Sequence, residues 1–282
     1  MTAELARKMH RTLEVYHGIV YFAPEPAARY EALGLGGRSG YFASRSAAMG
    51  AVDAEVVVAT FFNFNPDLVR RALDGVWARV SPDQVLDARH AGADEMLRRT
   101  VGDAIDSDEM VEASEIARRA ATGLEPAGRS LFAAHARLPW PDEPHMVLWH
   151  AQTLIREFRG DGHIACLVEA GVDSGCAALV QHAATGEITA DALRMSRSWS
   201  EQDWDATVAR LAERGWVEPD GSATAEGARV RQAIEDRTDE LAMAPWNSIG
   251  TDDADRLRTL VRPFSRTIVA AGGFGLDAAQ QG

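Results

Sequence analysis

Apolar positions Leu5, Met9, Leu13, Tyr16 and Val20 recur at three- and four-residue spacing, which predicts an opening helix over 3–22 with one apolar face. Ala23-Pro24-Glu25-Pro26 interrupts it, and a first-turn proline restarts a helix over 26–34. GLGGRSG (34–40) reads as a loop. Short helices follow over 41–50 and 53–61, the second with Asp53 at its start. Asn65 before Pro66 caps a helix running to about Arg79. Ser81-Pro82-Asp83 opens another through Arg99, and 107–121 holds one more. TGLEPAGRS (122–130) has the composition of a linker.

A second helical series begins at LPWPDEPH (138–145), with Asp142 and Glu143 as acidic cap residues for a helix over 144–158. GDGH (160–163) predicts a break. Helices are expected over about 163–171, 175–184, 189–195 and 200–214. Val217 to Ala223, turning at Pro219-Asp220-Gly221, is the one hairpin signal. A long helix over 224–243 follows, and the tail 270–282 reads as loose. The expected fold class is mainly α with a small β wing.

The two series echo each other at a nearly constant offset. LEVYHG (13–18) parallels VLWHAQ (147–152), and NPDLVRRALDGVWARVSPDQ (65–84) parallels SEQDWDATVARLAERGWVEPDG (200–221). The preserved order favours a degenerate internal duplication into two winged-helix-like halves. The expected domains are 1–121, a linker region 122–137, a second half 138–265 and a tail 266–282.

GEITADALRMSRS, then WSEQDWDATVARLAERGWV with Trp204, Val208 and Leu211 inward and Gly215 as its stop, then EPDGSA and TAEGARVRQAIEDRTDEL follow one another over 175–240. This order resembles the winged helix-turn-helix domain of MarR-type regulators: first helix, recognition helix, wing and long following helix. LPWPDEPHMVLWHAQTLIREFRGDGH and VYFAPEPAARYEALGL look more narrowly like a mainly actinobacterial MarR-like helix-turn-helix family. The resemblance implies a fold, and by analogy a dimer that binds DNA and responds to a ligand; it implies no particular activity.

Charge changes that picture. The 282-residue chain carries a formal net charge of −13. The recognition-helix segment and wing bear Glu201, Asp203, Asp205, Glu213, Glu218 and Asp220 against Arg210 and Arg214. Carboxylates beside phosphate forfeit counterion release and add repulsion, so DNA contact is expected to have been lost. Two cysteines without metal spacing, no apolar signal core and no apolar run of about 18 residues point to a reduced, cytoplasmic, non-membrane setting.

The working face is then expected to be a cleft between the halves. The richest stretch supplies Trp140, His145, Trp149, His150, Arg156, Arg159, Asp161 and His163. A turn at Gly160 and Gly162 would leave backbone N–H groups free for an anion near Arg159 and His163. His17, Tyr21 and Glu25 add aromatic faces and titratable groups from the N-terminal half. Aromatic walls with a few convergent polar groups suit a small-molecule pocket. Alternatives are a DNA-binding regulator and a tailoring enzyme using His163, Asp161 and Arg159 for acid–base work. A single axial histidine could serve haem, although no histidine stands out; no metal-ligand spacing, G-x-S-x-G or phosphate loop occurs.

Overall fold

The computed structural model describes residues 2–272. Its helices are α1 (Ala3–Gly18), α2 (Pro24–Ala32), α3 (Arg38–Ser46), α4 (Ala54–Phe61), α5 (Pro66–Leu73), α6 (Val76–Arg79), α7 (Pro82–Val101) and α8 (Asp108–Ala121). They continue as α9 (Ser130–Ala136), α10 (Pro144–Glu169), α11 (Gly175–Ala183), α12 (Ala190–Ser196), α13 (Glu201–Glu213), α14 (Ala225–Leu241) and α15 (Ala244–Ala270). The described residues fall into two compact units. One takes residues up to Ala51, Gly75–Gly160 and the chain from Asp239; the other takes Val52–Asp74 and Asp161–Thr238. Each therefore draws on segments from both sides of 122–137, a stretch that itself contains α9.

In the first unit, α1 and α8 pack along α15, and α2 packs on α7. The shared core includes Met9, Leu13, Tyr16, Met96, Leu97, Met110, Phe132 and Trp246, all buried. The start of α7 is fixed locally: the Ser81 hydroxyl accepts from Gln84 N–H while the Gln84 side chain accepts from Ser81 N–H, a reciprocal capping box. Gly92 lets α2 approach α7, since a Cβ there would lie 2.6 Å from Pro26 Cα.

The second unit holds the helix-turn-helix. Thr189 caps α12 through Ala192 N–H, and Ser200 caps α13 through Asp203 N–H. Trp204, Thr207 and Leu211 form the buried face of α13. Gly215, at φ 70°, ends it in the left-handed conformation. Gly227 is required by contact rather than by dihedral angle, because a Cβ would lie 1.7 Å from the Trp216 carbonyl oxygen.

Several expectations are corrected. No β wing forms among the described residues: 217–223 makes one isolated antiparallel bridge, Val217 to Ala223. The reason is room. Trp216 N–H returns to Leu211 at the end of α13, and Thr224 is already capping α14 through Gly227 N–H. Between them, Glu218 N–H donates to the Ser222 carbonyl at 2.8 Å and Thr224 N–H to the Trp216 carbonyl at 3.3 Å, too short a ladder for a strand. The predicted break at 160–163 is absent, since α10 runs unbroken from 144 to 169. No free N–H groups are exposed there, and the anion turn expected near Arg159 does not exist. Conversely, the single helix expected from Pro66 to Arg79 is divided at Gly75, which sits at φ 62°. Helix α15 was not foreseen; its pattern is disrupted by Gly250 (φ 84°, ψ 170°), where it kinks, and by Pro263 within it. Beyond Gly272, the tail expected to be loose lies outside the described residues.

The continuous α10 makes a sharp prediction. A Cβ at Gly160 would meet nothing closer than Glu157 Oε2 at 3.7 Å. Gly160→Ala is therefore expected to stabilise the chain by about 0.5–1 kcal/mol in urea unfolding, as alanine replaces glycine inside a helix. Gly92→Ala, which must displace Pro26, is expected to cost about 1–3 kcal/mol. A destabilising Gly160→Ala would restore the broken-helix reading.

Candidate functional site

Within the first unit, α1, α3, α7, α9 and α10 bring an arginine-rich polar cluster into the interior. At its centre is Tyr21, in the 3₁₀ turn that follows α1. Three guanidinium carbons stand over its ring: Arg45 at 5.4 Å, Arg89 at 5.5 Å and Arg156 at 5.4 Å from the centroid. Arg89 also lies over the Trp149 ring at 5.1 Å. Such contacts offset part of the cost of removing a guanidinium from water.

The carboxylates serve two of these arginines. Arg156 donates to Glu157 at 2.8 Å and to Glu14 at 2.9 Å, while Arg45 lies 3.6 Å from Glu157 and donates to the Tyr41 hydroxyl at 2.9 Å. Burial alone would raise the Glu157 carboxyl; Arg156 and Arg45, with His135 and Arg89 behind them, outweigh it and carry it down to about 2. Arg89 is different. It is 3% exposed, it lies 3.4 Å from the Tyr21 hydroxyl with the Tyr30 hydroxyl also beside it, and no carboxylate lies within 4 Å of it among the described residues.

The histidines here are neutral. His17, fully buried, has Nδ1 3.0 Å from the Thr153 hydroxyl and Nε2 3.1 Å from the Tyr21 hydroxyl, and stacks on Trp149 at 5.5 Å. Burial first, then Arg156 and Arg89, holds its imidazole well below the usual range. Burial and then Arg89 take His135 down to about 3. Burial, then His90 and Arg118, take His150 down to about 4. These rings can exchange hydrogen bonds at neutral pH but contribute no charge.

A cavity of about 280 Å³ opens against this cluster. Helix α7 contributes Asp83, Leu86, Asp87, Arg89 and His90; α9 contributes His135; Leu138, Pro139 and Pro141 come from the loop after it; α10 contributes Trp149, His150 and Thr153. Three lining nitrogens are buried with no hydrogen-bond partner among the described residues: Arg89 Nη1, Trp149 Nε1 and His150 Nε2. A separate space beside Glu14, His17, Gln152 and Arg156 is about 10 Å³, room for about one water molecule.

Of the residues singled out from the sequence, His17, Tyr21, Trp149, His150 and Arg156 meet here, and Trp140 joins them edge-on to His150 at 4.8 Å. The rest lie elsewhere. Glu25 forms an ion pair with Arg99, and His145 bonds Asp94. Arg159 donates to Asp239 at 3.0 Å. His163 is in the second unit, its Nδ1 2.9 Å from the Thr238 hydroxyl, and Asp161 is buried at that unit's start. The turn on which Arg159, Asp161 and His163 were expected to hold an anion is absent, because α10 continues through all three. Arg45, Arg89 and His135 were missed. The signal for Arg89 was present: it shares a helical stripe with Val85, Gly92 and Met96, all buried, so a guanidinium occupies an apolar face.

The helix-turn-helix has its own charge pattern. Arg210 reaches Asp173 at 3.4 Å, Arg214 donates to the Gly171 carbonyl at 2.7 Å and lies over Trp216, and Arg194 lies 3.4 Å from both Asp191 and Glu201. Glu201, Asp203, Asp205 and Glu213 are exposed. Among the described residues no group of three metal-binding side chains is brought together, and no helix is long and apolar enough to cross a membrane.

An all-helical chain with two consecutive capped helices, α12 and α13, joined by a four-residue turn is a helix-turn-helix protein in its fold. The chain belongs to a helix-turn-helix family whose model matches residues 6–275. No curated protein and no solved structure matches it.

The neutral histidines set a pH dependence. An imidazole in the unfolded chain binds its proton near pH 6.5, whereas His150 and His135 do so only near 4 and 3 when folded. Their stabilising contribution is complete above pH 6.5 and is lost as pH falls toward the folded values. The urea midpoint is expected to drop between pH 7 and 5 with net proton uptake on unfolding. His135→Gln should make that slope shallower.

Proposed function

We propose that the protein is a small-molecule-binding member of its helix-turn-helix family, with the ligand held in the cavity between α7, α9 and α10. The observation that carries this reading is the convergence of three unpartnered buried nitrogens on one cavity with apolar walls. Buried polar groups are nearly always satisfied, and a leftover set sharing one space is what a ligand's acceptors, or ordered water in their absence, would complete. The cavity lies within the first compact unit, and its lining comes from residues both before and after 122–137.

A second reading, a MarR-like DNA-binding regulator, draws support from family membership and from the α12–α13 pair. Against it, Arg194, Arg210 and Arg214 already have partners within the unit, and the exposed side of α13 is carboxylate-rich. A surface of that kind gains little from a polyanion.

Native mass spectrometry of the gently purified full chain separates the two readings. The expected result is an added mass from a small molecule, removed by Leu138→Trp, which fills the cavity, with melting retained. Random duplex in a low-salt mobility shift should give no retardation. An empty cavity, together with tight and salt-sensitive duplex binding, would reverse the ranking.

A further inference from the structure

The chemistry of the cavity wall narrows the ligand class; this step rests on the reading of the cavity as a binding site. Arg89 is 3% exposed and its Nη1 is unpartnered, and among the described residues it has no carboxylate within 4 Å. The neighbouring guanidinium groups of Arg45 and Arg156 share Glu157, and Arg156 also takes Glu14. A buried cation with no carboxylate in contact, and only the shared field of Glu157 behind it, is costly in a protein interior, and a bound anion relieves it directly. Trp149 Nε1, a pure donor, and His150 Nε2 are unpartnered on the same cavity. Leu86, Leu138 and the two loop prolines make the rest of the lining largely apolar.

We infer that the cavity takes a small organic monocarboxylate with a compact apolar body, its carboxylate on Arg89 and within reach of the Trp149 indole N–H. A carboxylate matches the planar guanidinium fork. One negative charge suits the single buried cation on this wall, because His135 and His150 remain neutral there. Exposed Asp83 and Asp87, which also border the cavity, disfavour a second anionic group on the same ligand. The space of about 280 Å³ suits a one-ring molecule and not a macrocycle such as haem.

Isothermal titration of the full chain with cyclohexanecarboxylate and its neutral isostere cyclohexanecarboxamide tests this. The carboxylate is expected to bind about ten- to hundredfold tighter, the range for a hydrogen bond to a charged group. Arg89→Gln should bring the two compounds to near parity while carboxamide binding persists, and Arg89→Lys should recover part of the preference. If Arg89→Gln does not fold, the isostere pair on the unaltered chain decides. Equal affinities on the unaltered chain overturn the carboxylate inference and leave the pocket standing. Displacement of the carboxylate by an equal concentration of inorganic phosphate also overturns it. Absence of heat from both compounds at millimolar concentration overturns the inference and weakens the pocket reading with it.

Discussion

A guanidinium buried without a carboxylate of its own shapes the interior of the larger unit. Removing such a group from water costs several kcal/mol, and the faces of Tyr21 and Trp149 return only part of that. With Arg45 and Arg156 close by, buried positive charge exceeds the carboxylates that face it, Glu157 and Glu14. Titratable neighbours respond in the direction this field requires. Glu157 stays ionised far into acid, and His17 and His135 shed their protons. The hydrogen bonds linking Thr153, His17 and Tyr21 are those of a neutral ring, one nitrogen donating and the other accepting. Around the cavity, the atoms this network leaves over are Arg89 Nη1, Trp149 Nε1 and His150 Nε2.

What could be read from the sequence follows the range of each interaction. Caps are local, so Ser81 and Asn65 announced their helices and hold them as expected, whereas Asp53, expected to cap α4, stands at its start without a side-chain cap bond. Glycine signals were less dependable. Gly75 interrupts a helix that apolar spacing alone would have continued, whereas Gly160 and Gly162 sit inside one. The difference lies in packing: α10 is lined by buried Trp149, Thr153, Leu154 and Phe158, and tertiary burial outweighs the weak helix propensity of two glycines. The Pro219-Asp220-Gly221 turn was legible, but a sheet requires partners that no local signal supplies.

The candidate site shows the same limit more strongly. Aromatic and histidine residues of 138–158 drew notice because their types are conspicuous. Arg45 belongs to a polar-looking segment, and only the assembled helices reveal that it is enclosed; Arg89 could have been noticed from its place on an apolar stripe. Surface charge was more readable, since exposure is the default for carboxylates; α13 does present them outward.

The turn after α13 limits how the helix-turn-helix can meet anything. Its two arms are joined by the Val217–Ala223 bridge and the Glu218–Ser222 hydrogen bond, and Thr224 ties the exit back by donating to the Gly215 carbonyl. Three residues from Val217 to the tip, at about 3.3 Å each, project no more than about 10 Å. A body docking on α13 would therefore meet a short blunt knuckle beside the helix, with no flexible finger to curl around its flank, so grip would have to come from shape along the helix itself.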